Sequence, residues 1–213
     1  KKKLSSGACL DKRCIFPEIC PVLKIDHTPQ VELLKKIKNI PGIRKVFVGS
    51  GLRYDMVIAD KVCGIPYITE VINHHVSGQM KIAPEHIDPY VLRLMGKPSL
   101  QSLDEFRQQF EKITKKAGKE QFLTYYLIAA YPGCSDAEML RLRRYATQTL
   151  KVTPEQVQVF TPTPSTYASV MYYTETDPAT GKKIFVEKNL TRKAHQKAIV
   201  TDETIKPIGL RKK

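Results

Sequence analysis

The sequence predicts an α/β fold: an incomplete (β/α) barrel of about four parallel strands with flanking helices, followed by a C-terminal β-hairpin and helix. Three observations carry this. Residues 45–48, 78–83, 122–130 and 157–160 read as strands, and each runs into a loop of glycine, proline or polar residues. Helical patterns separate them, as right-handed βα units require. Neither G-x-G-x-x-G nor G-x-x-x-x-G-K-S/T occurs, which counts against the nucleotide folds built on those loops. Four parallel strands leave barrel edges unpaired, so this reading expects further strands upstream of Lys1.

Composition sets the outer bounds. With 213 residues, 42% of them hydrophobic, the chain can bury the core of one large domain or of a domain with an appendage. No apolar run approaches a membrane span and none resembles a secretory segment, so the expectation is a cytoplasmic protein without a membrane partner. The formal net charge is +14; Lys1, Lys2, Lys3, Arg211, Lys212 and Lys213 carry six of these charges, leaving +8 for the body. Such a surplus favours phosphate-bearing partners, RNA among them, and equally describes a solvated basic surface.

Residues 1–28 form a cysteine-containing insertion or linker. Cys9, Cys14 and Cys20 stand in a C-x4-C-x5-C spacing, which matches neither a zinc ribbon nor the cluster signature C-x3-C-x2-C. They are candidate metal ligands or free, packed thiols. A metal would need a fourth ligand such as His27. Cys63 and Cys134 are isolated and read as buried small hydrophobes.

From residue 28 the pattern is regular through residue 164. Thr28 and Pro29 open a helix whose Val31, Leu34 and Ile37 line one side until Pro41 and Gly42 end it. The strand 45–48 leads into Gly49, Ser50 and Gly51, with Arg53, Tyr54 and Asp55 close behind. Residues 55–62 and 66–74 are the next helices. The strand at 78–83 ends in Ala83, Pro84, Glu85 and His86; then Asp88 caps a helix that has Pro89 in its first turn and stops at Gly96 and Pro98. Ser102 and Glu105 suggest a capping box for the amphipathic helix with Leu103, Phe106, Phe110 and Ile113. FLTYYLIAA at 122–130 is continuously apolar, as suits a strand buried on both faces. Ser135 and Glu138 form a second capping box, and the strand 157–160 runs into Thr161, Pro162, Thr163 and Pro164. Residues 165–213 then change character. Segments 171–174 and 183–187 flank Asp177, Pro178, Ala179, Thr180 and Gly181 as a hairpin, 191–200 is a helix, and a basic tail follows.

The series VFVGSGLRYDM, GQMKIAPEHIDPYVLRLMGKPS, YYLIAAYPGCSDAEM and VQVFTPTPST resembles the carboxyl-terminal half of the radical S-adenosylmethionine barrel, most closely the uncharacterised YgiQ-type branch. The likeness runs from about residue 9 to residue 200, and YYTETDPATGKK resembles that branch's appended region. The resemblance implies a [4Fe-4S] cluster on a C-x3-C-x2-C loop, S-adenosylmethionine, an electron donor, and a 5′-deoxyadenosyl radical that abstracts hydrogen from an unknown substrate. The chain contains no C-x3-C-x2-C. The cluster ligands are therefore expected upstream, and the chain alone is expected to be inactive.

The resemblance also nominates cofactor-binding positions. Glu85 would accept from the cofactor's ammonium or ribose hydroxyls, or serve as a helix-approach carboxylate. Lys81 would point into the barrel, or lay its stem on the sheet with its head in water. Ser50 and Arg53 would reach a carboxylate or stabilise their own loop. Pro132 and Gly133 match a turn whose backbone approaches the adenine, while Phe160 and Pro162 would pack that base or the core. His74, His75, His86 and His195 form no ligand spacing; His86 stands apart because it neighbours Glu85. The alternative to the enzyme reading is a basic α/β module that binds RNA without catalysis.

Overall fold

The structure, a computed structural model, describes residue 9 and residues 13–201. The basic tail at 202–213 lies outside the described residues. Helices α1 (Thr28–Lys38), α2 (Tyr54–Ala59) and α3 (Gly64–His74) precede strand β1 (Gln79–Glu85); α4 (Pro89–Met95) and α5 (Leu100–Lys116) lead to β2 (Phe122–Ala129). Helix α6 (Asp136–Tyr145) continues into a π-helical turn (Ala146–Leu150), followed by β3 (Val157–Val159), α7 (Tyr167–Thr174) and α8 (Leu190–Thr201).

The described strands make one three-stranded parallel sheet in the order β1-β2-β3, unclosed. The fourth expected strand is not formed. Residues 45–48 run extended beside β1 without joining it as a strand: the Val48 amide donates to the His75 carbonyl, and only Leu52 reaches β1, in a parallel bridge to Ile82. The reason is local. Gly49, Ser50 and Gly51 break the run before a second ladder bond can form, since glycine loses the most freedom in a strand. The buried His75 ring compensates by donating from Nδ1 to the Val46 carbonyl at 2.8 Å.

One face of the sheet is covered. Met80 and Ile82 of β1 and Leu123, Leu127 and Ala129 of β2 alternate inward and are buried against the helices. They join two cores, one with Leu103, Phe106 and Phe110 of α5, the other with Val91, Met139, Leu142 and Ile199. At roughly 1.5–3 kcal/mol per buried large apolar side chain, this burial is the main force holding helices to sheet. The expectation for β2 is thereby corrected. Its other face carries Thr124, Tyr126 and Ile128, none of them buried, so the apolar run does not mark a strand covered on both sides.

Two further expectations change. Residues 171–174 are not a hairpin strand but the end of α7, whose N-cap Thr166 accepts from the Ser169 amide. Only Thr176 and Lys183 pair across the turn. Helix α5 starts at Leu100, behind Ser99, so Ser102 and Glu105 lie inside it and form no cap. The capping box at Ser135 and Glu138 is formed.

Residues 165–201 share a core with the segment that precedes them. Met171, Ile184, Ile199 and Val200 belong to the same core as Leu127 and Val157, and α8 packs on α6, β2 and β3 as the outer helix that follows β3. No described helix is long and apolar enough to cross a membrane.

Candidate functional site at the carboxyl ends of the strands

Polar groups converge where β1 and β2 end. Glu85 occupies a left-handed backbone conformation, φ 65°, beside a register shift in the β1–β2 pairing. A glutamate in that region costs on the order of 1–2 kcal/mol, and such strain collects at functional positions. The carboxylate is steered by Lys97, whose Nζ lies 2.9 Å from Oε1 and also donates to the Ala83 carbonyl at 3.3 Å. Lys97 stands there because Gly96 takes the left-handed cap of α4 and turns the chain back over β1.

Arg53 and Tyr131 both lie within reach of the Glu85 charge. Arg53 is bound to Asp55 through two parallel contacts, Nε to Oδ1 at 2.8 Å and Nη2 to Oδ2 at 2.5 Å, and its guanidinium is held above its ordinary range first by that pairing, with Glu85 adding a smaller push. Tyr131 is pushed up to about 12, by burial first and by the Glu85 charge second. Glu85 thus has Lys97 in contact, with the raised Arg53 and Tyr131 forming the rest of a polar ring at the strand ends.

Beneath this edge a buried network ties the loop after β1 to the loop after β2. His86 accepts from the Asp88 amide at Nδ1 (3.0 Å), which assigns its proton to Nε2, 3.5 Å from Cys134 Sγ. Burial lowers the imidazole to about 4 and raises the thiol, so both are neutral. This pair is a structural contact and not a nucleophile with its base, which needs a thiolate. Asp88 caps α4 and accepts from Arg141 Nε at 2.8 Å, while Arg141 pairs with Glu138 of the capping box. Burial alone would raise Glu138, but bonds from Ser135 and the nearby Arg141 outweigh it and hold the carboxyl low.

The remaining nominated residues fall in three places. Lys81 lies on the uncovered sheet face, its Nζ 5.9 Å from the centre of the Tyr126 ring. Ser50 is exposed and lines a cavity of about 420 Å³ with His27, Leu34, Arg53 and Tyr67. Pro132 and Gly133 are buried, and the Gly133 amide is already engaged by the Phe185 carbonyl at 2.7 Å. Phe160 packs edge-on to Tyr131 (5.1 Å) and next to Tyr172 (5.8 Å), a core position; Pro162 beside it is half-buried. Ser50 and Arg53 thus line one cavity and Lys81 lies on the sheet face, whereas Gly133 and Phe160 are tied to the extension through Phe185 and Lys193.

The cysteines do not assemble. Cys9 and Cys14 are exposed, Cys20 is buried, and among the described residues no three His, Cys, Asp or Glu side chains are grouped to hold a metal. Among the described residues no thiol set is arranged to hold an iron–sulfur cluster, whose ligands the resemblance expects elsewhere. Lys97 and Tyr131 were not foreseen from sequence. Lys97 was legible only as the residue after a helix-ending glycine, and Tyr131 only as the end of an apolar run.

Comparison with known proteins places these features in a wider group. A family model described as "Domain of unknown function (DUF3362)" matches residues 155–202, the segment from β3 through α8. A UPF0313 protein of Fusobacterium nucleatum subsp. nucleatum is 58% identical over 203 residues, covering 95% of this chain and 36% of the relative. UPF0313 proteins of Clostridium perfringens strain SM101 (45% over 200 residues, 94% of this chain, 30% of the relative) and Methanosarcina acetivorans (43% over 194, 91% and 26%) are also similar. The chain spans about a third of the length of the curated relatives it matches, and what it resembles over nearly its whole extent is one stretch of UPF0313 proteins.

Proposed function

We propose that this chain is the later part of the partial barrel of a radical S-adenosylmethionine enzyme, YgiQ-type, with its cluster-binding cysteines supplied by another stretch of the same protein. The observation that supports it best is the combination of a singly wound parallel sheet, in which chain order is strand order, with one bare face and a polar ring at its carboxyl edge. Folds of this kind carry out chemistry at that edge.

Within the chain, Glu85 fits the cofactor better than the other nominated groups. Lys97 takes one carboxylate oxygen and orients the second, which is suited to an ammonium or a pair of ribose hydroxyls. Arg53 is committed to Asp55 and acts by keeping that side of the ring cationic. The Gly133 turn, with its amide engaged, supports the floor rather than the ligand. When bound beside a reduced cluster, S-adenosylmethionine supplies the means of abstracting hydrogen from an unactivated carbon; this chain's residues bind, orient and exclude water.

The test has two arms. The Fusobacterium nucleatum relative, reconstituted anaerobically with iron and sulfide, is expected to convert S-adenosylmethionine to methionine and 5′-deoxyadenosine once reduced; a cluster-loaded preparation that yields neither overturns the enzyme reading. In this chain, Glu85→Gln is expected to weaken binding of S-adenosylhomocysteine at least tenfold by equilibrium dialysis, and an unchanged affinity removes Glu85 from the site.

A further inference from the structure

The bare face of the sheet has a definite chemistry. Register pairs Lys81 of β1 with Thr124 of β2, and Ile128 of β2 with Gln158 of β3, so Lys81, Thr124, Tyr126, Ile128 and Gln158 share the side turned away from Met80 and Leu123. There Ile128 packs against the core that holds Phe160 and Met171, and Tyr126 and Gln158 are exposed. Next to Lys81 the surface is low. A Cβ built on Gly51 would stand 3.9 Å from the Cβ of Ala83 and 3.8 Å from the Lys81 carbonyl, so two of the smallest residues make a shelf between the cation and the strand ends.

Lys81 differs from the cations around it. Arg53 pairs with Asp55, Lys97 with Glu85, Arg93 with Asp177 and Arg141 with Asp88 and Glu138. Lys81 is half-buried and has no carboxylate partner among the described residues. The contact described for its ammonium is the Tyr126 ring, at the outer limit of a cation–π contact. Thr124 spends its hydroxyl on the Met80 carbonyl at 3.4 Å and offers no charge. An ammonium beside a polar strand edge with no carboxylate next to it is open to an anion.

We propose that Lys81 is the residue that recognises the substrate of this site, and that the substrate is a small organic anion, a carboxylate or a phosphate ester, whose body lies on the Gly51–Ala83 shelf against Tyr126. This rests on the reading of the carboxyl edge as the reaction site. Lysine suits the task as a compact point charge on a flexible stem, one that either anion satisfies. Gln158, exposed on β3, is placed to take a second polar group farther from the edge.

The experiment uses this chain, isotopically labelled, with inorganic phosphate and benzoate as separate probes followed by two-dimensional NMR. Either probe is expected to shift the amides of Lys81, Ala83, Thr124 and Tyr126, saturating in the millimolar range, with Lys81→Met lowering affinity at least fivefold and Lys81→Arg retaining it. A response to phosphate alone assigns a phosphate ester; a response to benzoate alone, or tighter benzoate binding, assigns a carboxylate on a planar body. Shifts scattered over the basic surface, or saturation unchanged in a folded Lys81→Met, overturn the proposal. If S-adenosylhomocysteine binding still depends on Glu85 in that event, the cofactor site stands and only the substrate assignment falls. If neither ligand binds, both fall.

Discussion

The side-chain amide of Gln196, on α8, is buried between two backbone groups of the loop after β2: Oε1 accepts from the Ala130 amide at 3.0 Å and Nε2 donates to the Cys134 carbonyl at 3.2 Å. Ala130 is held with φ 56° at the strand's last turn, so this glutamine satisfies a strained amide that has no ladder partner. Gln196→Leu keeps the volume and removes both bonds. It is expected to cost about 1–3 kcal/mol by urea denaturation, with the Ala130 amide exchanging its hydrogen faster than in the parent chain.

His86 predicts a pH dependence. Its folded value near 4 lies below the ordinary 6.5, so the unfolded chain binds the proton first. The stability this group contributes is complete above about pH 6.5 and declines as pH falls toward 4. His74 is lowered too, by burial and then by Lys38, and adds to the same slope. His86→Asn preserves an acceptor for the Asp88 amide, and it is expected to flatten the decline measured between pH 6.5 and 4 without removing it.

Asp60 works in a more acidic window. Burial alone would raise its carboxyl, but bonds from the amides of Cys63, His27 and Val62 and from the His27 ring hold it at about 2. Its contribution is therefore present above about pH 4 and lost on the way down to 2. Asp60→Asn is expected to destabilise the chain by about 1–3 kcal/mol at pH 7 and to lessen the loss of stability across that interval.

Gly133→Ala tests the floor of the site. An added Cβ would meet Leu94 Cδ1 at 2.2 Å and Tyr90 Cε1 at 3.2 Å, on a backbone with φ 90° that an alanine rarely adopts. Leu94 can turn aside, but the backbone cannot follow, and a loss of about 1–3 kcal/mol in denaturation is expected. Gly118→Ala, in open space at φ 62°, isolates the conformational part and is expected to cost about 1 kcal/mol.

Glu85→Gly separates strain from function. Relieving φ 65° offsets the loss of the partly exposed Lys97 pair, so thermal stability is expected to stay level or rise by up to about 1 kcal/mol while S-adenosylhomocysteine binding is lost.

How much of this was legible depended on whether the signal was local. The helix caps at Asp88 and Ser135 and the glycine stop at Gly96 are set by neighbours in sequence and stand as read, while the strand expected at 78–83 runs on through Pro84 to Glu85. Residues 171–174, MYYT, have β-branched and aromatic character that suggested a strand. Burial of Met171 in the core and the Thr166 cap made them a helix instead. The 45–48 segment failed for want of a ladder rather than of pattern. Of the candidate site, Glu85 and Lys81 were nominated by the resemblance, which a local stretch of sequence carries. Lys97 and Gln196 could not, because what gives each its role is a partner 12 and 66 residues away, respectively.

The shared core under α8 has a practical corollary. Phe185 holds the Gly133 amide and Lys193 reaches the Phe160 carbonyl at 3.4 Å, so the segment matched as DUF3362 cannot be cut away at residue 155 or 165 and leave a sealed remainder. Chimeras exchanged at either boundary would carry a mismatched seam through their interior.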